Sequence, residues 1–276
     1  MQPASSETSR PRLSQTHRPD HAVSGVELLL LLAAGLVGGL AGSIAGLASL
    51  VSYPALLAVG LGPVAANMTN TVALVFSSLG STTGSRIELE GQAPRVRELG
   101  LAAVLGGGAG ATLLLLTPSD TFELIAPWLI GAASLTILMR PRVRPEASAG
   151  EEQRAAGPGL IGGVFLVAIY GGYFGAAAGV MLLALLLAGT GDTLARSNAL
   201  KNFVLGIANA VAAVGFLLLG TVNWVAVVPL AVGLFAGGRI GPIVVRRSNA
   251  GVLRALIGVA GLALAVKLGV DAYADA

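Results

Sequence analysis

Two stretches of otherwise apolar sequence carry amides, hydroxyls and one ammonium at helical spacing. Asn67, Asn70, Thr71, Ser77, Ser78 and Ser81 recur at increments of three and four, give or take one position. Asn198, Lys201, Asn202 and Asn209 do the same further along. Unpaired amides and hydroxyls facing lipid are costly, so each stripe either lines a cavity or joins helices together. Asn67, Asn70, Thr71, Ser78, Asn198, Lys201, Asn202 and Asn209 are the candidate substrate-binding residues. Lys201 is a strong charge inside the predicted span 197–219. A cation at a helix centre costs ~2.5–3.5 kcal/mol on insertion scales, so it faces a cavity or snorkels to the membrane surface. No Asp or Glu falls deep in a predicted span, which argues against a carboxylate proton relay or sodium site. Amides, hydroxyls, helix N-termini and an ammonium are donors, and donors suit an anion.

Other chemistries are excluded by residue type. The chain has no cysteine, and His17 and His21 both lie in the N-terminal tail. That removes thiol enzymes and any His- or Cys-based catalytic or metal centre within the membrane. A Ser/Lys hydrolase built on Lys201 lacks a GxSxG elbow or a paired base. No enzymatic activity, metal or cofactor is expected.

The elements that must position these residues are transmembrane helices. Of 276 residues, 54% are hydrophobic and 11% charged, with a mean hydropathy of +0.81. An ordinary soluble domain carries about 25% charge, so the solvent here is largely lipid. Residues 28–85 hold no charge, and one span needs ~20 residues, so this stretch alone contains at least two. The net charge of +3 reads as basic loops of a membrane protein rather than as a nucleic-acid surface. Six ordinary spans are predicted at 64–83, 99–116, 124–139, 197–219, 223–238 and 252–270. A long apolar stretch broken by glycine precedes each group of three. The first runs over 26–62 with breaks at Gly42 and Gly46; the second runs over 159–189 with breaks at Gly171, Gly172 and Gly175. The pieces after the breaks, about 15 residues or ~22 Å of helix, fall short of the ~30 Å hydrocarbon core. Short, interrupted segments at matching places point to a transport site; close helix packing through glycine is the other reading.

The two groups are related. The run GLVGG at 35–39 returns as GLIGG at 159–163. Beyond it, Asn67 matches Asn198, Asn70 matches Lys201, Thr71 matches Asn202, Ser78 matches Asn209 and Gly110 matches Gly241. The expected fold is all-α: a polytopic transmembrane helical bundle of two homologous, inverted repeats, each starting with a Gly-broken or re-entrant segment. Its parts are a disordered tail (1–24), a first repeat (25–139), a cytoplasmic linker (140–158), a second repeat (159–270) and a C-terminal tail (271–276). The tail is too long, and the following apolar run too continuous, for a secretory signal. Inversion follows from charge. If each broken stretch contributes evenly and the N-terminus is outside, the arginine-bearing segments 84–98, 140–158, 190–201 and 239–254 all lie inside. Counting each stretch as one pass gives eight spans in parallel repeats and leaves Arg239, Arg246, Arg247 and Arg254 outside.

The broken segment with its proline and polar span (GLAGSIAGLASLVSYPALLAVGLGPVAANMTNTVALVFSS), its return (GLIGGVFLVAIYGGYFGAAAGVMLLALLLAGTGDTLARSNALKN) and the stretch TPSDTFELIAPWL resemble the TauE/SafE family of sulfite exporters and sulfonate uptake permeases. The resemblance covers about residues 25–270. The first glycine motif departs from the family pattern, reading Gly46-Leu-Ala-Ser. The resemblance implies a multi-pass carrier of the bacterial inner membrane for a small sulfur-containing anion such as sulfite or sulfoacetate. Its partners are then that anion and the lipid bilayer, with no nucleic acid; a homo-oligomer is left open. An anion channel and a non-transporting scaffold or assembly protein are the alternatives.

Overall fold

The computed structural model describes residues 24–139, 156–245 and 250–274, and all its regular elements are helices. They are α1 (Gly25–Ala45), α2 (Ser49–Ala58), α3 (Pro63–Gly84), α4 (Arg86–Leu89), α5 (Ala93–Leu116), α6 (Ser119–Met139), α7 (Pro158–Tyr173), α8 (Ala178–Thr190), α9 (Leu194–Leu219), α10 (Trp224–Val245) and α11 (Ala250–Ala274). The expected tail up to residue 23, the linker over 140–155, and Arg246 and Arg247 lie outside the described residues.

Local sequence sets where the helices begin. Ser24 caps α1 in a reciprocal box: its backbone N–H donates to Glu27 Oε2 (2.7 Å), and Glu27 N donates to Ser24 Oγ (3.3 Å). Proline occupies the first turn of α3, α5 and α7, where its missing N–H leaves nothing unpaired. Among the described residues, four helices are long and apolar enough to cross a membrane: α1, α5, α9 and the Trp224–Ile243 part of α10. α3 is as long, but its polar stripe lowers its hydropathy.

The six ordinary spans appear as α3, α5, α6, α9, α10 and α11. Several boundaries differ from expectation. α5 begins at Ala93, so Arg95 is helical, and a short α4 precedes it; α6 begins at Ser119, α10 continues through Arg239 to Val245, and α11 continues to Ala274.

Both glycine-broken stretches fold back on themselves. At the end of α1, Gly46 takes φ +76°, and Ala48 then packs against Gly42 while Val51 packs against Gly38. α2 therefore runs antiparallel to α1. α7 turns through Gly175 (φ +77°) and Ala177 (φ +58°), after which Leu185 meets Gly163 and Gly189 meets Leu160.

The hairpins are held by parallel helices approaching through glycine. α1 lies along α10, where a Cβ on Gly35 would stand 2.4 Å from Leu230 O and one on Gly237 2.1 Å from Leu36 O. α7 lies along α5 in the same way: a Cβ on Gly106 would collide with Phe165 O, and one on Gly110 with Ile169 O. α3 runs parallel to α10, and α9 parallel to α5. One set, α1, α2, α3 and α10, thus faces another, α5, α7, α8 and α9, across the antiparallel crossing of α3 on α9, where Gly206 meets Ser78. α6 and α11 form a further antiparallel pair, Gly131 against Ala265.

The two hairpin tips touch. A Cβ on Gly46 would lie 2.4 Å from Gly179 C, and one on Gly179 2.5 Å from Gly46 Cα. Gly46→Ala is therefore expected to lower the melting temperature sharply in detergent: overpacking costs about 1–3 kcal/mol and a left-handed Cβ about 1–2 more. Gly162→Ala, at a helical position with nothing within 4 Å, should leave the melting temperature unchanged or raise it. Equal effects of the two would refute this packing.

Candidate functional site: a cavity between two hairpin tips

A helix that stops inside a membrane leaves its last carbonyls without intrahelical partners. Here side chains from the facing set of helices supply them. Asn198 Nδ2 donates to Ser43 O near the end of α1 (2.8 Å), and Asn67 Nδ2 donates to Tyr173 O at the end of α7 (2.8 Å). Lys201 Nζ joins the first contact, donating to Gly42 O (3.0 Å) and to Asn198 Oδ1 (2.8 Å). Its side chain is fully buried against the C-terminal end of α1, where the helix dipole favours a cation. Ser52 Oγ donates to Asn70 Oδ1 (2.5 Å), tying α2 to α3, and Thr71 Oγ1 returns to Asn67 O (3.0 Å).

Beside these contacts lies a cavity of about 50 Å³, several times the ~10–15 Å³ that one water needs. Its walls are Gly42, Gly46, Ala48 and Ser49 of the first hairpin and Gly171, Gly175, Ala178 and Gly179 of the second. Leu74, Ser77, Ser78 and Ser81 of α3 and Lys201, Asn202, Leu205 and Asn209 of α9 complete it. The N-termini of α2 and α8 both open onto it, and first-turn N–H groups at such ends favour negative charge. Among the described residues, Lys201 is the only charged one in the lining. Asn202 is 6% exposed, and its Nδ2 has no hydrogen-bond partner. The site can therefore offer donors and one positive charge to a small group of atoms.

Of the eight candidates, the cavity brings together Ser78, Lys201, Asn202 and Asn209. Asn67, Asn70, Thr71 and Asn198 are buried on the same two helices but lie outside the lining; the three asparagines bond to the hairpins, and Thr71 bonds back to Asn67 O. Ser77 and Ser81 belonged to the α3 stripe without being chosen as candidates, and the hairpin glycines were read as breaks rather than as walls. The 74–77–78–81 spacing, continuing the stripe, was the available signal.

A second polar cluster lies at the end of the bundle where α5 and α9 begin. Arg95, 4% exposed, is ion-paired with Asp192 and donates to Thr190 O (3.4 Å). Arg196 Nε lies 3.6 Å from Asp192 Oδ1, and its Nη2 donates to Glu90 O (3.2 Å). Gln92 Nε2 donates to Glu88 O and Arg196 O. These groups fasten the α8–α9 turn to the start of α5 and stand apart from the cavity lining. Reading 84–98 as a charged loop concealed them.

Against known proteins, residues 31–268 match the family described as "Sulfite exporter TauE/SafE". A "Probable membrane transporter protein ORF9" of Sinorhizobium is 29% identical over 254 residues, 88% of this chain and 93% of that protein. The "Probable membrane transporter protein YfcA" of Escherichia coli strain K12 is 28% identical, covering 91% and 93%. A "Probable membrane transporter protein" of Haemophilus influenzae is 25% identical, covering 90% and 96%. No solved structure matches.

Partnered and unpartnered amides should respond differently to removal. Asn202→Ala deletes a donor with no partner among the described residues, so thermal stability is expected to hold or rise while transport into liposomes falls. Asn198→Ala strands Ser43 O and part of the Lys201 ammonium, and is expected to cost about 1–3 kcal/mol of stability. A melting temperature that falls more for Asn202→Ala than for Asn198→Ala would contradict these assignments.

Proposed function

Because the chain belongs to the sulfite exporter TauE/SafE family of membrane transporters, we propose that it is a carrier that moves a small sulfur-containing oxyanion, such as sulfite, through the cavity between the hairpin tips. The observation that carries this reading is the buried, unpartnered Asn202 Nδ2 beside Lys201, in a lining whose described residues include that one charge and no carboxylate. The hydroxyls of Ser77, Ser78 and Ser81 add adaptable donors, and the α2 and α8 N-termini add fixed ones. A cavity of about 50 Å³ favours a compact oxyanion over a long organosulfonate. Backbone contact between Gly46 and Gly179 favours a carrier over an open channel, since the tips meet beside the cavity.

Inverted repeats fit this reading. The α1–α10 contact parallels the α7–α5 contact, and the Asn198–Ser43 bond parallels the Asn67–Tyr173 bond. The hairpins enter from opposite ends of the bundle. In the proposed orientation in the bacterial inner membrane, the end carrying Arg95, Arg196 and Arg239 is cytoplasmic, as the positive-inside rule favours. The end carrying Asp120, Glu123 and Asp271 is external.

Proteoliposome flux of sulfite, sulfate, thiosulfate and two-carbon sulfonates tests the substrate. Saturable sulfite flux is expected. Flux that never saturates would indicate a channel, and no flux of any anion would indicate a scaffold. Lys201→Gln should weaken apparent affinity by about 10–100-fold, the size of a lost hydrogen bond to a charged group. Lys201→Arg should restore it only in part, because a planar fork does not replace a compact ammonium.

Orientation is tested by single cysteines in a chain that has none of its own. Ser148→Cys and Ser248→Cys should both react with an impermeant reagent only when the cytoplasmic face is exposed. Labelling of Ser248→Cys alone from outside would select parallel repeats.

A further inference from the structure

The two hairpin tips are held by matching amides, but not equally. At the α7 end, Asn67 Nδ2 holds Tyr173 O while its Oδ1, buried with the rest of the residue, has no partner. At the α1 end, Asn198 is engaged on both sides, because Lys201 Nζ donates to its Oδ1 while its Nδ2 donates to Ser43 O. The ammonium fixes which way that amide points. Where Lys201 stands, the first half has Asn70, which is bonded to Ser52 within its own set of helices. Only the α1 tip is therefore fastened across the interface by a charge.

We propose that Lys201 is a latch on the α1–α2 tip that the transported anion releases, while Asn198 and Asn67 are the fixed positioning residues of the two tips. The proposal rests on reading the cavity as an anion site. Two observations make the lysine a latch rather than a pillar. First, Gly42 O also accepts a hydrogen bond from Gly46 N (2.8 Å), so withdrawal of the ammonium does not orphan that carbonyl. Second, Lys201 lines the cavity. An anion there offers the ammonium a charged acceptor in place of a neutral carbonyl, and charge-assisted hydrogen bonds are about twice as strong as neutral ones. Occupancy of the site and freedom of the α1 tip thus draw on the same three N–H groups. Gly46 at that tip packs on Gly179 of the opposite tip, so freeing one tip loosens the contact between the two sets of helices.

The test is hydrogen–deuterium exchange on the full chain in lipid nanodiscs, followed in peptides covering residues 42–48 and 172–178. Without anion, Lys201→Met should speed exchange in 42–48 by about tenfold, the scale of one charge-assisted hydrogen bond, with 172–178 unchanged. Asn67→Ala should do the reverse. Lys201→Arg, which keeps a cation, should leave 42–48 slow, and it serves if Lys201→Met fails to fold. Adding sulfite should speed exchange in 42–48 of the wild type and have no effect on that peptide in Lys201→Met. The latch is overturned by unchanged exchange in anion-free Lys201→Met, by a rise spread over all helices, or by sulfite slowing the wild-type tip. The anion-free comparison needs no substrate. A local effect of Lys201→Met with no flux of any anion would therefore overturn the proposed substrate and the release step, not the fastening of the tip.

Discussion

A helix that ends within a bilayer has to find partners for its terminal carbonyls in protein, because lipid offers none. Much of this structure follows from that constraint. α1 and α7 both end at glycine-rich turns and both fold back. Each then presents a last-turn carbonyl to an amide from the facing set of helices: Ser43 O to Asn198 and Tyr173 O to Asn67. Side chains that resemble a binding stripe in sequence are divided by this demand. Those level with the tips hold backbone, and those beyond them are left to the cavity.

Glycine makes the arrangement dense enough to work. α1 on α10 and α7 on α5 approach until backbone meets backbone, at distances where any Cβ would collide. The hydrophobic effect does not drive helices together in lipid; close dispersion contact and interhelical hydrogen bonds do. The same close approach lets Gly46 and Gly179 meet beside the cavity, and it brings two helix N-termini, from α2 and α8, onto one small space. Positive electrostatic character at the site therefore has two sources, backbone dipoles and a single ammonium. Only the ammonium belongs to one half of the chain.

The existence of α3, α6, α9, α10 and α11 was legible in the sequence, because each contains an apolar run of spanning length; the ends of α6, α10 and α11 were not, because each helix continues past the first charge that seemed to bound it. Lys201 and the amides were legible as exceptions within such runs. The start of α5 was not: Arg95 reads as a loop charge until Asp192, far away in the chain, is found beside it. Charge clusters in a sequence mark interfaces well, but they do not reveal which members are paired and buried.

Sequence alone determined that the chain is a set of membrane helices and that polar residues repeat at matching positions in its two parts. Helical periodicity and the cost of polar groups in lipid are local rules, and both act on every residue independently of its neighbours in space. Only the tertiary structure decided which polar residues face the cavity. Asn67 and Asn198 match in sequence and share the role of holding a tip. Thr71 and Asn202 match equally well, yet only Asn202 lines the cavity. Both members of each pair occupy the same helical face. Thr71 returns its hydroxyl to Asn67 O while Asn202 turns to the cavity, a difference set by which distant segments pack beside each residue and so invisible to any local pattern.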